Sequence, residues 1–311
     1  MNSKIATIFG GSGFIGRHLI RRLTKEDYRI IVATRSPYLS GFLKTLGNPG
    51  QVELVKTNIY DYQDIKDVLK NSKLAINLVG SLYEKKNQKF QYLHSEFPKI
   101  LSNICNENNL DRLIHLSALG IKEDHSSNYM KSKYQGEQNI INNFKSCIIL
   151  RPSVIFGPED KFFNIFASLT QFSPVIPLIG KGKTKFEPVY VGDVAEAIVQ
   201  STQVNKFDQN IYELGGPAIY SFKELMEILL IEIKKKRLLL PISFGFAKFQ
   251  YYFFQMMPVP LLTPDQVEML KYDNILSGKY PTLKDLGVDS KTVQSILPKY
   301  IYRFRTGGQF G

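Results

Sequence analysis

The chain contains few residues that form disulfides or bind metals. Its 311 residues include only two cysteines, Cys105 and Cys147, and four histidines. Both cysteines lie in apolar segments and form no disulfide framework, which favours a reducing compartment. The histidines are scattered without the spacing of a metal site. The sequence therefore predicts neither a disulfide scaffold nor a bound metal, and we expect the histidines to be surface or packing residues.

Long hydrophobic runs are also missing. No stretch of roughly 18 or more residues is uniformly apolar, so the sequence predicts no helix that spans a membrane. A predicted strand begins near residue 4 and leaves no room for a signal or transit peptide. We therefore expect a protein that is not secreted.

Acidic residues are too few to balance the basic ones. Lys and Arg number 40 against 28 Asp and Glu, which gives a net charge of +12. Such an excess fits nucleic acid, an anionic membrane surface, an acidic partner or solubility alone. The chain has no aromatic RNA-binding signature and no paired Cys/His ligands, so we expect no nucleic-acid partner. Hydrophobic residues make up 43%, which is enough for a substantial core.

A glycine-rich turn near the N-terminus has the pattern of a nucleotide-binding loop. Apolar residues 4–9 predict a buried strand, and Gly10, Gly13 and Gly16 follow at intervals of three. The next residues carry a helical apolar stripe that starts with Phe14 and Ile15. Glycines at these positions permit a tight turn, close approach of a pyrophosphate and close packing of the helix. Because the N–H groups at a helix start attract phosphates, we expect these five residues to hold a dinucleotide.

Strand and helix patterns alternate through the first two thirds of the chain. This alternation predicts an α/β protein with a doubly wound parallel sheet of the Rossmann type. We place a dinucleotide-binding domain at residues 1–220 and a smaller, mostly helical part at 221–311. Strands are predicted at 4–9, 29–35, 52–59, 74–79, 112–116, 147–155, 188–191 and 211–214, and helices at 60–71, 89–108, 128–144, 162–172 and 193–202.

Arginine follows the second strand where an acidic residue would indicate NAD. Arg35 occupies this position, and Arg17 lies at the start of the first helix. A guanidinium there matches the 2′-phosphate of NADP(H), so the sequence favours NADP(H) over NAD(H). Topology places the adenine near Asn58 and Ile59. It also brings the end of the fourth strand, Leu78, Val79 and Gly80, beside the ribose and phosphates.

A tyrosine and a lysine share one face of a predicted helix directly after the fifth strand. Tyr129 and Lys133 are spaced by one helical turn, and Ser117 lies at the carboxyl end of that strand. A lysine ammonium lowers the pKa of a nearby phenol, which then exchanges a proton as hydride moves. Ser117 either orients a substrate oxygen or is a turn hydroxyl. These residues are our candidate catalytic group, and Tyr129 and Lys133 are also candidate nucleotide contacts.

Five motifs carry a resemblance to a known family. They are Gly10-Gly-Ser-Gly-Phe-Ile-Gly16, Ser117-Ala-Leu-Gly120, Tyr129-Met-Lys-Ser-Lys-Tyr-Gln-Gly-Glu137, Arg151-Pro-Ser-Val-Ile-Phe-Gly-Pro-Glu-Asp160 and Pro188-Val-Tyr-Val-Gly-Asp-Val-Ala195. The first three resemble the atypical short-chain dehydrogenase/reductases. The last two, with Leu262-Thr-Pro-Asp-Gln-Val-Glu-Met269, narrow the resemblance further. Within these, the chain is similar to the nucleotide-binding accessory subunits of respiratory complex I (NADH:ubiquinone oxidoreductase) and their bacterial relatives.

The resemblance implies a structural rather than a redox-active nucleotide. In such a subunit NADPH is held tightly, and the protein stabilises the peripheral arm near the membrane and the quinone site. The resemblance also implies that Pro152, Ser153 and Val154 lie near the nicotinamide. It implies that complex I subunits are partners. It further implies that the protein is cytoplasmic and peripheral on the inner face of an energy-transducing membrane. The alternative is a free NADPH-dependent reductase or epimerase-type enzyme that uses Tyr129 and Lys133 on a hydrophobic or quinone-related substrate.

A basic cluster precedes an aromatic run in the C-terminal third. The cluster is Lys234-Lys-Lys-Arg237, and the run covers residues 244–257 with a single charge, at Lys248. Such a combination is typical of a face that meets a membrane surface or a partner. The run is equally typical of a core segment that closes a substrate cleft.

Overall fold

The molecule is built around one seven-stranded parallel sheet. The computed structural model describes residues 4–86, 88–204, 210–248 and 263–308. All neighbouring strands of the sheet pair in parallel. From one edge to the other they are β11 (Ile211–Leu214), β6 (Cys147–Pro152), β5 (Arg112–Leu116), β4 (Leu74–Asn77), β1 (Ile5–Phe9), β2 (Arg29–Thr34) and β3 (Val52–Lys56).

The strand order reverses between β1 and β4. On one side of this point the chain adds β2 and β3, and on the other side it adds β5, β6 and β11. Ligands of open parallel sheets bind at the carboxyl ends of the strands beside such a reversal. The topology therefore points to a cleft above Phe9 and Asn77, the last residues of β1 and β4.

Helices cover both faces of the sheet. Helices α1 (Phe14–Leu23) and α6 (Val191–Ser201) bury apolar side chains in the core on one face. Helices α2 (Tyr62–Leu69), α3 (Phe97–Glu107) and α4 (Asn128–Asn143) form the core on the other face. The predicted doubly wound parallel sheet is confirmed.

A second hydrophobic core lies beyond the sheet. It joins α5 (Phe163–Phe172), α7 (Phe222–Glu232) and two short C-terminal helices. The remaining elements are α8 (Pro264–Met269), α9 (Val293–Ile296), α10 (Pro298–Ile301) and the short strands β7 (Ile155–Phe156), β8 (Val175–Ile179), β9 (Lys185–Phe186), β10 (Val189–Tyr190), β12 (Tyr220–Ser221) and β13 (Leu238–Ile242). This core takes residues from both sides of position 220. The domain boundary at 220/221 stays a prediction.

Several predicted elements differ from the structure. The strands predicted over 52–59 and 74–79 end earlier, at Lys56 and Asn77. The strand predicted over 147–155 stops at Pro152, and Ile155–Phe156 pairs instead with Val189–Tyr190. The helix predicted over 193–202 begins at Val191, so Asp193 lies inside its first turn and accepts hydrogen bonds from Lys291.

The helix predicted over 89–108 is in two parts. It opens with a π-helical turn over Gln91–Glu96, and α3 follows from Phe97. The Phe97 N–H bonds the Tyr92 carbonyl five residues earlier, and Pro98, which follows, has no N–H to donate to the carbonyl of His94. The aromatic run predicted to meet a membrane or close the cleft lies, from residue 249 onward, outside the described residues.

Candidate functional site

The glycine turn packs too closely for side chains at Gly10 and Gly16. Gly10 has a φ of +79°, and a Cβ there would lie 2.9 Å from the carbonyl carbon of Leu78. A Cβ on Gly16 would lie 2.2 Å from the carbonyl oxygen of Gly11. Gly13 is the N-cap of α1 with no side-chain cap, and the first turn of this helix contains no acid. The helix start is therefore open to an anion.

Two arginines lie beside this turn. The Arg17 guanidinium stacks over the Phe42 ring at 4.7 Å, and its Nε is buried without a hydrogen-bond partner among the described residues. Arg35 directly follows β2 and is exposed. A buried donor without a partner is costly and indicates that something else satisfies it. Contact of either arginine with a 2′-phosphate stays a prediction.

The predicted adenine residues follow β3. Asn58 is exposed, and its side-chain oxygen accepts a hydrogen bond from the Tyr60 N–H at 3.1 Å. Ile59 is half-buried, and its carbonyl accepts from the Tyr92 hydroxyl at 2.6 Å. These bonds fix the loop, whereas contact of Asn58 and Ile59 with an adenine stays a prediction.

The end of β4 joins the glycine turn to helix α4. The Val79 N–H donates to the side chain of Asn77 at 3.0 Å, while Leu78 contacts Gly10. A Cβ on Gly80 would lie 3.5 Å from Lys133 Nζ. Leu78, Val79 and Gly80 therefore lie between the predicted phosphate site and the candidate catalytic helix.

Tyr129 and Lys133 are both buried on α4. Lys133 donates from Nζ to the Leu116 carbonyl at 2.9 Å, at the end of β5. Burial lowers the pKa of Lys133 to about 8, although Glu137 opposes this shift. Burial, and secondarily the charge of Asp265, raises the pKa of Tyr129 above its ordinary value.

The predicted trio is close to one cleft without being hydrogen bonded together. The Ser117 hydroxyl is buried and has no partner among the described residues. The Lys133 ammonium bonds a backbone carbonyl, and the Tyr129 ring is packed edge-on against Phe90 and His94. Ser117 and Lys133 thus lie at the end of β5, and Tyr129 lies one helical turn before Lys133 on α4.

His94 belongs to the site although its spacing gave no signal. Its Nε2 accepts from the Ser81 N–H at 3.1 Å, so the ring proton is on Nδ1 and is donated to Ser132. Ser132 in turn donates to the Tyr129 carbonyl at 2.8 Å. Burial, and then the charge of Lys133, lowers the pKa of His94 to about 2, which keeps the ring neutral.

The predicted nicotinamide residues lie at the end of β6 and directly after it. The Pro152 carbonyl accepts from the Leu119 N–H at 2.9 Å, which joins the ends of β5 and β6. The Ser153 hydroxyl and the Val154 N–H both donate to the side-chain oxygen of Asn274, at 2.7 and 3.0 Å. The sequence did not predict this contact with the C-terminal region.

The site fits a dinucleotide in shape and in polar groups. Added Cβ atoms on Gly10 or Gly16 would fill the close-packed loop, and the open start of α1 favours phosphate. Within the described ranges, buried groups without partners occur at both ends of the site, Arg17 Nε at one and Ser117 Oγ at the other. We expect a nucleotide to run along the cleft from Arg17 to Ser117, and this course stays a prediction.

Metal-binding and membrane-spanning features are both missing from the described ranges. No group of three His, Cys, Asp or Glu side chains placed to hold a metal ion occurs in the described part of the chain. None of the helices within these ranges is long and apolar enough to cross a membrane.

A family model matches most of the predicted dinucleotide-binding domain. Residues 6–215 match the model of the NAD dependent epimerase/dehydratase family. The chain belongs to the NAD-dependent epimerase/dehydratase family. This membership agrees with the parallel sheet, the glycine turn and the Tyr129/Lys133 helix, and it establishes an NAD(P)-binding fold.

This epimerase/dehydratase-family chain has relatives that match it over nearly its whole length. NADH dehydrogenase (ubiquinone) 1 alpha subcomplex subunit 9, mitochondrial, of Arabidopsis thaliana is 31% identical over 98% of the chain and 79% of its own length. The Mus musculus protein of the same name is 30% identical over 97% and 81%. The resemblance to these subunits is confirmed.

Solved structures share the architecture of this family member at lower identity. The UDP-glucose 4-epimerase of Thermus thermophilus, in complex with NAD, superposes with a TM-score of 0.70 at 17% identity. The match covers 96% of the chain and 98% of the epimerase. At this identity the likeness concerns the fold alone.

Proposed function

We propose that the protein is an accessory subunit of a respiratory NADH:ubiquinone oxidoreductase and carries NADP(H) as a structural nucleotide. The supporting observation is the extent of the similarity. The family model ends at residue 215, whereas the match with the alpha subcomplex subunits covers 97–98% of the chain and so includes the C-terminal third. The chain therefore shares with these subunits the region beyond the nucleotide-binding fold.

The preference for NADP(H) rests on Arg35 and Arg17. No acidic residue directly follows β2, where NAD-binding proteins hold the ribose hydroxyls. Arg35 is exposed at this point, and the buried Nε of Arg17 has no partner in the described part of the chain. Two guanidinium groups bind a 2′-phosphate through paired, charge-assisted hydrogen bonds.

A structural role of the nucleotide is supported by the state of Tyr129. Proton transfer by a phenol requires a pKa near the working pH. Tyr129 is instead buried edge-on against the stacked rings of Phe90 and His94, and both burial and Asp265 raise its pKa. Lys133, which would lower that pKa, is hydrogen bonded to the Leu116 carbonyl.

The C-terminal region offers a face for the membrane edge. Exposed apolar side chains accompany the basic cluster at residues 234–237, which reaches the end of α5 through the bond from Arg237 to the Thr170 carbonyl. Basic residues beside apolar ones favour an anionic lipid surface. We therefore propose that the protein lies on the cytoplasmic, inner face of an energy-transducing membrane. The exposed apolar residues are Phe172, Ile231, Leu238 and Leu240.

The test of the proposal is recovery of the protein under mild detergent. We expect it to copurify with subunits of the oxidoreductase and to release an equimolar amount of NADP(H) on denaturation, measured by mass spectrometry. Recovery as a free, nucleotide-free monomer would contradict the proposal.

The cofactor preference is tested separately with Arg35→Ala. Loss of a charge-assisted phosphate contact costs about 1.5–3 kcal/mol, so the Kd for NADPH should rise about 10- to 100-fold while that for NADH changes little. Arg29→Ala is the matched control, because Arg29 lies at the opposite end of the same strand and pairs with Glu53. Equal weakening of NADPH and NADH by Arg35→Ala would contradict the 2′-phosphate contact.

A second candidate function is an NADPH-dependent reductase or epimerase for a hydrophobic or quinone-related substrate. It is favoured by the position of Ser117 and Lys133 at one strand end, with Tyr129 one helical turn before Lys133, which a structural nucleotide does not require. A bound nicotinamide would supply hydride there, and Tyr129 would donate the proton. Tyr129→Phe should then abolish NADPH oxidation by short-chain quinones without releasing NADPH. If the wild-type protein did not oxidise NADPH with these quinones, this second function would be contradicted and the structural role of the nucleotide would remain.

A further inference from the structure

A segment of the C-terminal region crosses back to the candidate site. We call residues 263–277 the C-terminal strap. It begins with α8, which Thr263 caps, and it ends at Ser277, whose hydroxyl and N–H donate to Glu213. The strap thus lies outside the matched family model but contacts the sheet that the model covers.

Asp265 of the strap binds the start of helix α4. Its carboxylate accepts from the Ser127 hydroxyl at 2.7 Å, from the Asn128 N–H at 2.7 Å and from the Tyr129 N–H at 3.2 Å. Helix α4 has no acid in its own first turn. The strap therefore supplies the negative charge that a helix start favours, across a separation of 138 residues from Ser127.

Asn274 of the strap binds the loops after β5 and β6. Its side-chain oxygen accepts from Ser153 Oγ and the Val154 N–H, and its amide nitrogen donates to the Leu119 carbonyl at 3.3 Å. Its own backbone is held by Lys185 and Glu187. Because both its backbone and its side chain are engaged, Asn274 fixes the two loops relative to each other.

The strap is anchored to the C-terminal region by an ion-pair cluster. Glu268 pairs with Lys248 and with Lys271, and it accepts from the Ser126 hydroxyl. The two lysines lower the pKa of Glu268 to about 2, so the carboxylate is charged at any physiological pH. The cluster thus links the strap to Lys248 and to Ser126, which lies just before α4.

We propose that Asp265 and Asn274 are positioning residues for the nicotinamide half of the nucleotide. The inference rests on the proposed nucleotide site. Asp265 holds the helix of Tyr129, and Asn274 holds Ser153 and Val154, all of which are predicted on the nicotinamide side. The adenine half is predicted instead on the glycine turn and Arg35. Through the strap, nucleotide binding and the conformation of the C-terminal region then influence each other reciprocally.

The experiment compares two ligands on single variants of the full chain. Asp265→Ala and Asn274→Ala are titrated with NADPH and with 2′,5′-ADP, which has the adenine and the 2′-phosphate but no nicotinamide. We expect NADPH to bind about tenfold more weakly to both variants, as loss of hydrogen bonds to a charged or buried group implies. Binding of 2′,5′-ADP should change less than about twofold. Asp124→Ala is the charge-matched control, because Asp124 is exposed before α4 and pairs with Lys122.

A second measurement uses the wild-type protein. NADPH should slow hydrogen exchange of the amides in residues 263–277, whereas 2′,5′-ADP should leave it unchanged. Unchanged NADPH affinity in both variants would overturn the inference, and so would equal weakening of the two ligands. A wild-type protein that binds neither ligand would refute the nucleotide site and the inference with it.

Discussion

An alanine at position 16 is expected to push helix α1 away from the glycine turn. The new Cβ would lie 2.2 Å from the carbonyl oxygen and 2.5 Å from the Cα of Gly11. Ordinary contact between such atoms is about 3.5 Å, so the helix start must retreat by about 1 Å. The backbone of Gly11 cannot give way as a flexible side chain would.

The retreat should harm nucleotide binding more than folding. Overpacking costs about 1–3 kcal/mol, and the better helix propensity of alanine offsets about 1 kcal/mol of this. The free energy of unfolding should therefore fall by about 0–2 kcal/mol. The N–H groups at the start of α1 would no longer reach a phosphate bound in the original position. Hydrogen bonds to a charged group contribute about 1.5–3 kcal/mol, which corresponds to a 10- to 100-fold rise in the Kd for NADPH.

Calorimetric titration with NADPH and urea unfolding would measure the two effects. Gly41→Ala is the control, because a Cβ on Gly41 meets nothing within 4 Å. Gly13→Ala should be intermediate, since its Cβ would lie 3.2 Å from the Gly10 carbonyl. Wild-type affinity in Gly16→Ala, or an equal loss in Gly41→Ala, would refute the assignment of this turn as the phosphate site.

Two further predictions concern buried charges. Glu137→Gln leaves the buried Arg151 guanidinium without its carboxylate and should lower the free energy of unfolding by about 3–5 kcal/mol. Glu107→Gln, in an exposed ion pair with Lys66, should have a much smaller effect in the same urea titration. In the folded protein the pKa of Lys133 is lowered from 10.5 to about 8. Between these two pH values the unfolded chain binds more protons than the folded protein, so the free energy of unfolding rises with pH. Relative to Lys133→Met, the wild type should therefore gain about 3 kcal/mol over this interval, and a constant difference would contradict a buried ammonium.

The sheet was predictable because its signals are local. Each central strand is a short apolar run, and each ends where the next turn or helix signal begins. The glycine turn and the Tyr129/Lys133 spacing are likewise contained within a few residues. Such signals depend on backbone geometry and not on distant contacts, so they can be recognised in the sequence alone.

The strap could not be predicted because its contacts are distant in sequence. Asp265 is 138 residues from Ser127, and Asn274 is 121 residues from Ser153. The sequence motif that contains Asp265 was recognised only through the resemblance. The break of β6 after Pro152 has the same origin, since the Val154 N–H bonds Asn274 instead of continuing the strand.

A glycine inside helix α4 is a further local signal in the sequence. Gly136 lies inside helix α4, where glycine costs about 1 kcal/mol relative to alanine, so its presence calls for a close approach. In the structure a Cβ at this position would lie 1.8 Å from the carbonyl oxygen of His94. That carbonyl belongs to the π-helical turn, and Pro98 has no N–H to donate to it. The glycine thus lets His94 pack against α4, and this packing places its ring beside Tyr129 and Gly80.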